Sequence, residues 1–449
     1  MKEELLEEFA SGLVRKAISQ GASAAEVLAR QHSAFSVGVR MGEIETLEES
    51  ASEGFGLRVL IEGRQASVSG SDFHSDAVDA MVREAVEMAR ATSPDDTAGL
   101  PEPLEFARSI EDLDLFDPAI AELSTETQIE FALRAEQAAR DASTKIVNSD
   151  GGEFTTSTGT LVLANSLGFH GRYNGTSCSL STIPVATDGD RMQRDSWADH
   201  KRKLAAMDAP EEIGRTAAAR TLRKLGGRAV PTQTVPVVFE PVIAAELLDD
   251  IFTAVSGESV FRKSSFLAGR LGERVASSAI TVIDDGRIRG ALGSRPFDGE
   301  GLSTRRTAVI QEGILESYLL NAYTARKLGL RSTGNASRGL VGSPGVGAGN
   351  LYIEPGSHSP ADIVGSVSKG FLVTELIGFG VNIVTGDYSR SASGMWIENG
   401  ELAFPVQGVT IAGNLKGMLS SVEMVGNDLD FRSNLAAPTL LIGEMMVSA

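Results

Sequence analysis

The chain has 449 residues, 42% of them hydrophobic and 22% charged, with 48 glycines and a formal net charge of -19. That length exceeds one ordinary core and implies two or three domains, and the composition excludes a disordered chain. The negative field repels phosphate backbones and no basic stripe offsets it, which excludes direct nucleic-acid binding as a reading.

Taken in chain order, Leu5, Leu6, Phe9, Leu13, Val14, Ala17 and Ile18 recur at helical spacing, and Gly21 supplies a stop. Five short strands are expected next, over residues 25–31, 34–41, 43–49, 55–62 and 64–70, punctuated by Gly42, Gly54 and the Glu62-Gly63 turn. They read as an antiparallel meander. A helix over 75–91 carries Ala77, Met81, Ala85 and Met88 on one side, and the SPDDTAGLPEPLEF stretch after it has linker composition. Ser124-Thr125-Glu126-Thr127-Gln128 then opens a helix running to about 143, with Thr125 and Gln128 expected to form a capping box. Extended runs over 145–148, 153–165, 169–181 and 182–188 repeat the helix-plus-meander pattern. A helix over 210–225 ends at Gly226-Gly227.

Beyond Val230 the pattern is β-rich, with turn pairs at Asp285-Gly286, Glu312-Gly313 and Asn399-Gly400 and two helical segments, 241–255 and 320–328. The expected fold is therefore α+β. An N-terminal α+β domain spans 1–110, a middle α+β domain 111–230 and a mainly antiparallel β domain 231–449. The acidic start MKEELLEEFASGL is unlike a secretory signal, and no apolar run reaches the ~18 to 20 residues of a membrane span. Cys178 is the single cysteine, which precludes an internal disulfide and fits a reducing compartment. A cytoplasmic protein without membrane contact is expected.

Glu246, Asp249, Asp250 and Thr253 share the polar side of the 241–255 helix, where carboxylates suit a hard cation or simply face water. The five histidines are far apart in sequence, and none opens an H-E-x-x-H pattern. Asp284-Asp285 and Asp298-Gly299-Glu300 contain acid/base residue types in turn contexts, and the turn reading is preferred. Gly342–Asn350 lacks the Walker lysine and hydroxyl, so a mobile hairpin loop is expected there. Cys178 reads as an inert strand residue. Asp387, Tyr388 and Arg390 crowd the segment TGDYSRSASGMW, either lining a substrate cleft or bracing an elaborate turn.

Several long segments together resemble one family. They are SGESVFRKSSFLAGRLGERVAS at 256–277, RPFDGEGLSTRR at 295–306, STGNA at 332–336, NLYIEPG at 350–356, TGDYSRSASGMWIENGE at 385–401 and VGNDL at 425–429. In these the chain resembles the TldD/PmbA family, in its PmbA branch, also called TldE. The resemblance implies a two-subunit zinc metallopeptidase whose TldD-like chain carries an H-E-x-x-x-H helix and a later cysteine ligand. Here the matching helix reads LLDDIFTA, placing Asp249 and Asp250 at the first histidine and glutamate and Ala254 at the second histidine. Between VGNDL and Pro438 there is no cysteine. The resemblance therefore implies a subunit with no catalytic residue, metal or cofactor of its own. Its partners would be a TldD-like metallopeptidase chain and an extended, unfolded peptide, in leader-peptide removal or antitoxin degradation; the family is also known as a modulator of DNA gyrase. Two alternatives stay open: a self-dimeric peptide-binding or scaffold protein, and an independent hydrolase with a metal on Asp249, Asp250 or Glu300.

Overall fold

The computed structural model describes residues 3–189 and 191–449. The apolar stripe of the first helix, Glu3–Ser19, buries Leu6, Ala10, Leu13 and Val14, and the Ser75–Ala91 helix buries Val78, Val82, Ala85 and Ala89 beside it. Both lie on a seven-stranded sheet in the order Arg64–Gly70, Glu43–Ile61, Ala24–Arg40, Ile146–Asn165, His170–Asp188, Arg191–Arg194, with Trp197–Lys201 also pairing on His170–Asp188. Every pairing in it is antiparallel. The two meanders thus form one continuous sheet, joined where Ala24–Arg40 runs against Ile146–Asn165 from Glu26↔Asn165 to Val39↔Gly152.

The strands are longer than the five short runs expected in the first meander and the four in the second. Ala24–Arg40 and Glu43–Ile61 continue through residues 32–33 and 50–54 without a break. The first half of Glu43–Ile61 is exposed on both sides, so its side chains carry no in-out alternation to read. The helix after the linker also begins differently from the expected capping box. Ser124 is the N-cap, its hydroxyl accepting from the Thr127 N–H at 3.2 Å. Gln128 turns inward instead, donating to the Leu123 carbonyl and accepting from the Thr156 hydroxyl, both at 3.2 Å. Burial of this amide demands partners inside the fold, and those outcompete the helix end.

On the sheet face opposite the helices, Leu28 and Leu163 pack with Phe106 and Phe169 against Phe297 and Leu302 of the C-terminal region. Glu26 of the same face is fully buried between Arg58, at 2.6 Å, and Arg338. The C-terminal region holds a six-stranded sheet in the order Glu401–Asn414, Asp387–Glu398, Lys369–Ile377, Gln233–Phe239, Leu440–Ser448, Val422–Val425. Glu401–Asn414 pairs again with Leu440–Ser448, which closes five of these strands into a ring. A second, five-stranded sheet runs Ile314–Leu315, Arg306–Gln311, Val282–Asp285, Leu351–Ile353, Leu435–Ala436. Each sheet contains one parallel pair among antiparallel ones. The α+β class, with helix-plus-antiparallel-sheet at the N-terminus and a mainly antiparallel C-terminal region, is the architecture found.

Two of the three expected hairpin turns close hairpins. Glu312-Gly313 and Asn399-Gly400 have consecutive positive φ values, 47° and 82° and then 51° and 79°, the conformation a two-residue hairpin loop requires. Asp285-Gly286 does not. The strand ending at Asp285 pairs with Arg306–Gln311 only after a long excursion, in which Asp298 accepts backbone N–H groups from Glu300, Leu302 and Ala336. The 342–350 segment is pinned rather than loose: Gly345–Val346 pairs with Ala336–Ser337, and the Gly349 N–H donates to Asp284 at 2.7 Å.

Candidate functional site

Pro241 at the first turn, with Ile243, Leu247, Leu248, Ile251 and Val255 at core-facing spacing, makes Pro241–Val255 a helix packed between the two C-terminal sheets. Its other side opens onto a cleft, a cavity of about 1080 Å³. Glu246, Asp249 and Asp250 line one wall of it. Trp197, His200 and Arg220 of the middle region, the 374–381 segment, and residues 428–437 complete it. Trp197 is held between two guanidinium groups, Arg220 at 5.1 Å and Arg432 at 4.5 Å from the ring centre. Arg220 is itself tied to Glu240 at 2.7 Å, and Arg432 to Asp208 at 3.0 Å and Asp430 at 2.7 Å. Ion pairs thus brace the junction of the middle and C-terminal regions around the cleft.

The strand Lys369–Ile377 supplies the most informative part of the wall. On one side it pairs along its length with Asp387–Glu398. On the other it pairs with Gln233–Phe239 only as far as Val373, because that strand ends at Phe239 and the chain turns into the Pro241–Val255 helix. Among the described residues, 374–377 therefore have an edge without a strand partner, on which the Thr374 carbonyl accepts from Arg220 Nη2 at 3.2 Å, and Thr374, Glu375 and Leu376 line the cleft. Such an edge presents backbone donors and acceptors to whatever enters.

Electrostatics in the cleft are uneven. Burial pushes the Asp250 carboxyl up to about 6, and neighbouring Asp249 and Glu246 push the same way against the opposing pull of Arg390. One Asp250 oxygen is buried without a hydrogen-bond partner. His200 is held below its ordinary value by burial first and by Arg202 second.

The three expected cleft residues go to different places. Arg390 lines the cavity and pairs with Glu246 at 2.7 Å. Tyr388 lies beneath it, 2% exposed, its phenol pushed up by burial and by Asp250 and Glu246. Asp387 is exposed and bonded to the Thr385 hydroxyl at 2.7 Å and the Asn414 amide at 3.1 Å, where it braces the loop. Elsewhere, burial and then Asp298 raise Glu300 to about 8, and its carboxylate accepts from the Ala322 N–H at 2.7 Å, capping the Ala322–Leu328 helix. Asp284 is buried and holds Asn335 and Gly349. Cys178 is buried far along the other sheet, its thiol pushed up to about 12 by burial. The Trp197 wall and the open 374–377 edge had no signal in the sequence beyond strand-forming composition.

Among the described residues, no three His, Cys, Asp or Glu side chains converge in a group that would hold a metal ion. The helix positions in question carry exposed Asp249, half-buried Asp250 and fully buried Ala254.

Three sequence profiles match in succession: PmbA/TldA metallopeptidase domain 1 at residues 25–89, the central domain at 118–225 and the C-terminal domain at 232–449. Metalloprotease PmbA of Escherichia coli O157:H7 is 38% identical over 445 residues, covering 99% of this chain and 96% of that protein. The chain belongs to the PmbA/TldD metallopeptidase family. Among solved structures of this fold, a protein named as a modulator of DNA gyrase from Bacteroides thetaiotaomicron superposes with a TM-score of 0.93 at 27% identity, covering 100% of both chains. TldE from Thermococcus kodakarensis shares the fold with a TM-score of 0.88 at 24% identity, covering 98% of this chain and 100% of that one. The PmbA/TldD C-terminal match contains the cleft helix, the open strand edge and Arg390. Among the described residues, no helix is long and apolar enough to cross a membrane.

Proposed function

We propose that this PmbA/TldD-family chain is the peptide-holding subunit of a two-subunit metallopeptidase, with the metal centre carried by a TldD-like partner chain. The open edge of residues 374–377 inside the cleft is the observation that carries this reading. An extended, unfolded peptide laid along that edge gains main-chain hydrogen bonds that are indifferent to its sequence. The cavity of about 1080 Å³ lies just above the roughly 300–1,000 Å³ of small-ligand pockets, which favours a peptide segment over a single metabolite.

The residues present do not fit a catalytic zinc site of the peptidase kind, which takes three protein donors around an open position. On the helix, Ala254 has no donor atom, and the cleft has one imidazole, His200, on a separate strand. No cleavage step is therefore assigned to this chain's own side chains. Leader-peptide removal or degradation of an unfolded antitoxin are the processes such a complex would serve.

The test is metal analysis and peptide cleavage on the purified chain, alone and with a TldD-like partner from the same cell. The isolated chain is expected to bind an unfolded peptide, to hold no stoichiometric metal and to cleave nothing, with cleavage appearing on addition of the partner. Stoichiometric metal together with cleavage by the isolated chain would overturn the proposal. Recovery solely as a self-dimer from cells containing a TldD-like chain would do the same.

A further inference from the structure

The open edge of residues 374–377 runs directly into the turn Gly378-Phe379-Gly380, and the Phe379 ring at the rim of the cleft is fully exposed. Trp197, the other aromatic ring lining the cavity, is clasped between guanidinium groups. A phenyl ring left in water forgoes the burial that normally draws aromatic side chains inward. A loose loop would fold it back.

This loop is held open. The Ser389 N–H donates to the Gly380 carbonyl at 2.7 Å, and Arg390 Nε donates to the Gly378 carbonyl at 3.1 Å. Arg390 is in turn fixed to Glu246 on the cleft helix. Close approach here demands glycine, since a Cβ on Gly380 would stand 1.6 Å from the Ser389 carbonyl oxygen. Beyond the turn, Asn382 continues the bracing by donating its N–H to the Asp387 carbonyl and accepting at its side chain from Val384. The backbone on both sides of Phe379 is thus committed to other partners, and the ring is displayed over the cavity.

We infer that Phe379 is the anchor for a large apolar side chain of the bound peptide, so that the cleft selects extended segments carrying a residue such as Leu, Met or Phe. This rests on the strand-addition reading above. The open edge decides the kind of occupant, because unpaired strand backbone is satisfied by an extended chain. The apolar wall of Val242, Leu376 and Leu435 beside the ring decides which side chain of that chain is rewarded. The edge supplies affinity without sequence preference, and Phe379 supplies the preference.

The experiment is a two-by-two binding measurement with the full-length chain. Fluorescence anisotropy is recorded for a labelled unfolded peptide with one central leucine and for its alanine counterpart, each against wild type and Phe379→Ala. Wild type should favour the leucine peptide by about 10- to 100-fold, the ratio that burial of such a side chain implies. Phe379→Ala should bring that ratio close to one by weakening binding of the leucine peptide, and Phe379→Leu should restore part of it. The ring is fully exposed, so its removal leaves the fold intact. Peptide binding by wild type with no leucine preference, or a preference untouched by Phe379→Ala, overturns the anchor and leaves strand addition standing. Failure of wild type to bind either peptide overturns both. A Phe379→Ala chain that keeps the preference but no longer co-purifies with the TldD-like partner overturns the anchor in favour of a subunit contact.

Discussion

Asp250 projects from the middle of the cleft helix with one carboxylate oxygen buried and unpartnered, and its proton is held up to about 6. A carboxyl whose folded value lies above its unfolded value stabilises the fold while protonated. That contribution is present below about pH 4 and is lost as pH rises through 6. Asp250→Asn keeps the neutral form at every pH. Thermal melts of the two proteins should therefore coincide near pH 4 and diverge by neutral pH, with the variant melting about 2 °C higher. Parallel melting curves across that range would remove Asp250 from the pH response. The polar side of this helix was legible from the 3.6-residue period, which places Glu246, Asp249 and Asp250 together. Whether that side met water or a cavity was not, because the answer depends on Trp197 and residues 374–381, distant in sequence.

Among the elements, those with strong local chemistry match their sequence pattern. Pro241–Val255 begins and ends where proline, glycine and the apolar period place it. Ser75–Ala91 has the expected bounds, but the side it buries is Val78, Val82, Ala85, Val86 and Ala89, not the expected row of Ala77, Met81, Ala85 and Met88, of which Met88 is exposed. The short Ala322–Leu328 helix owes more to its ends. The Asn321 side chain accepts from the Thr324 N–H at 2.8 Å and donates to the Pro344 carbonyl at 2.8 Å, while Gly329 closes the far end at φ 67°. Asn321→Ala removes the cap, the bond from the Thr324 hydroxyl and the bonds to the Pro344 and Gly345 carbonyls, and should cost about 2 kcal/mol or more, read as a lower urea midpoint with an unchanged slope. No change in midpoint would mean that Glu300, which accepts from Ala322 N–H, caps the helix alone. The long strands were less legible. Glu43–Ile61 is exposed on both faces over its first half, so no alternation marks it as strand, and only pairing with Ala24–Arg40 extends it.

Across the whole molecule, the junction between the N-terminal sheet and the C-terminal region is both apolar and ionic. Leu28 and Leu163 meet Phe297 and Leu302, and beside them Glu26 is shared by Arg58 and Arg338 with all three side chains buried. Removing one member leaves buried charge less compensated. Arg338→Met should lower stability by about 3 kcal/mol, seen as earlier melting and as faster amide exchange along Ala24–Arg40. Exchange confined to the C-terminal region would show that the ion cluster does not couple the two. Local periods and turn chemistry were enough to set the long helices, two of the three hairpin turns and the α+β class, because each depends on neighbours within a few residues, and the order of long motifs was enough to place the chain in its family. The single continuous sheet, the open edge at residues 374–377, the display of Phe379 and the separation of Asp387 from Arg390 were decided only by tertiary packing. They depend on where strands end against distant partners and on which side chains are buried, quantities that no local pattern carries.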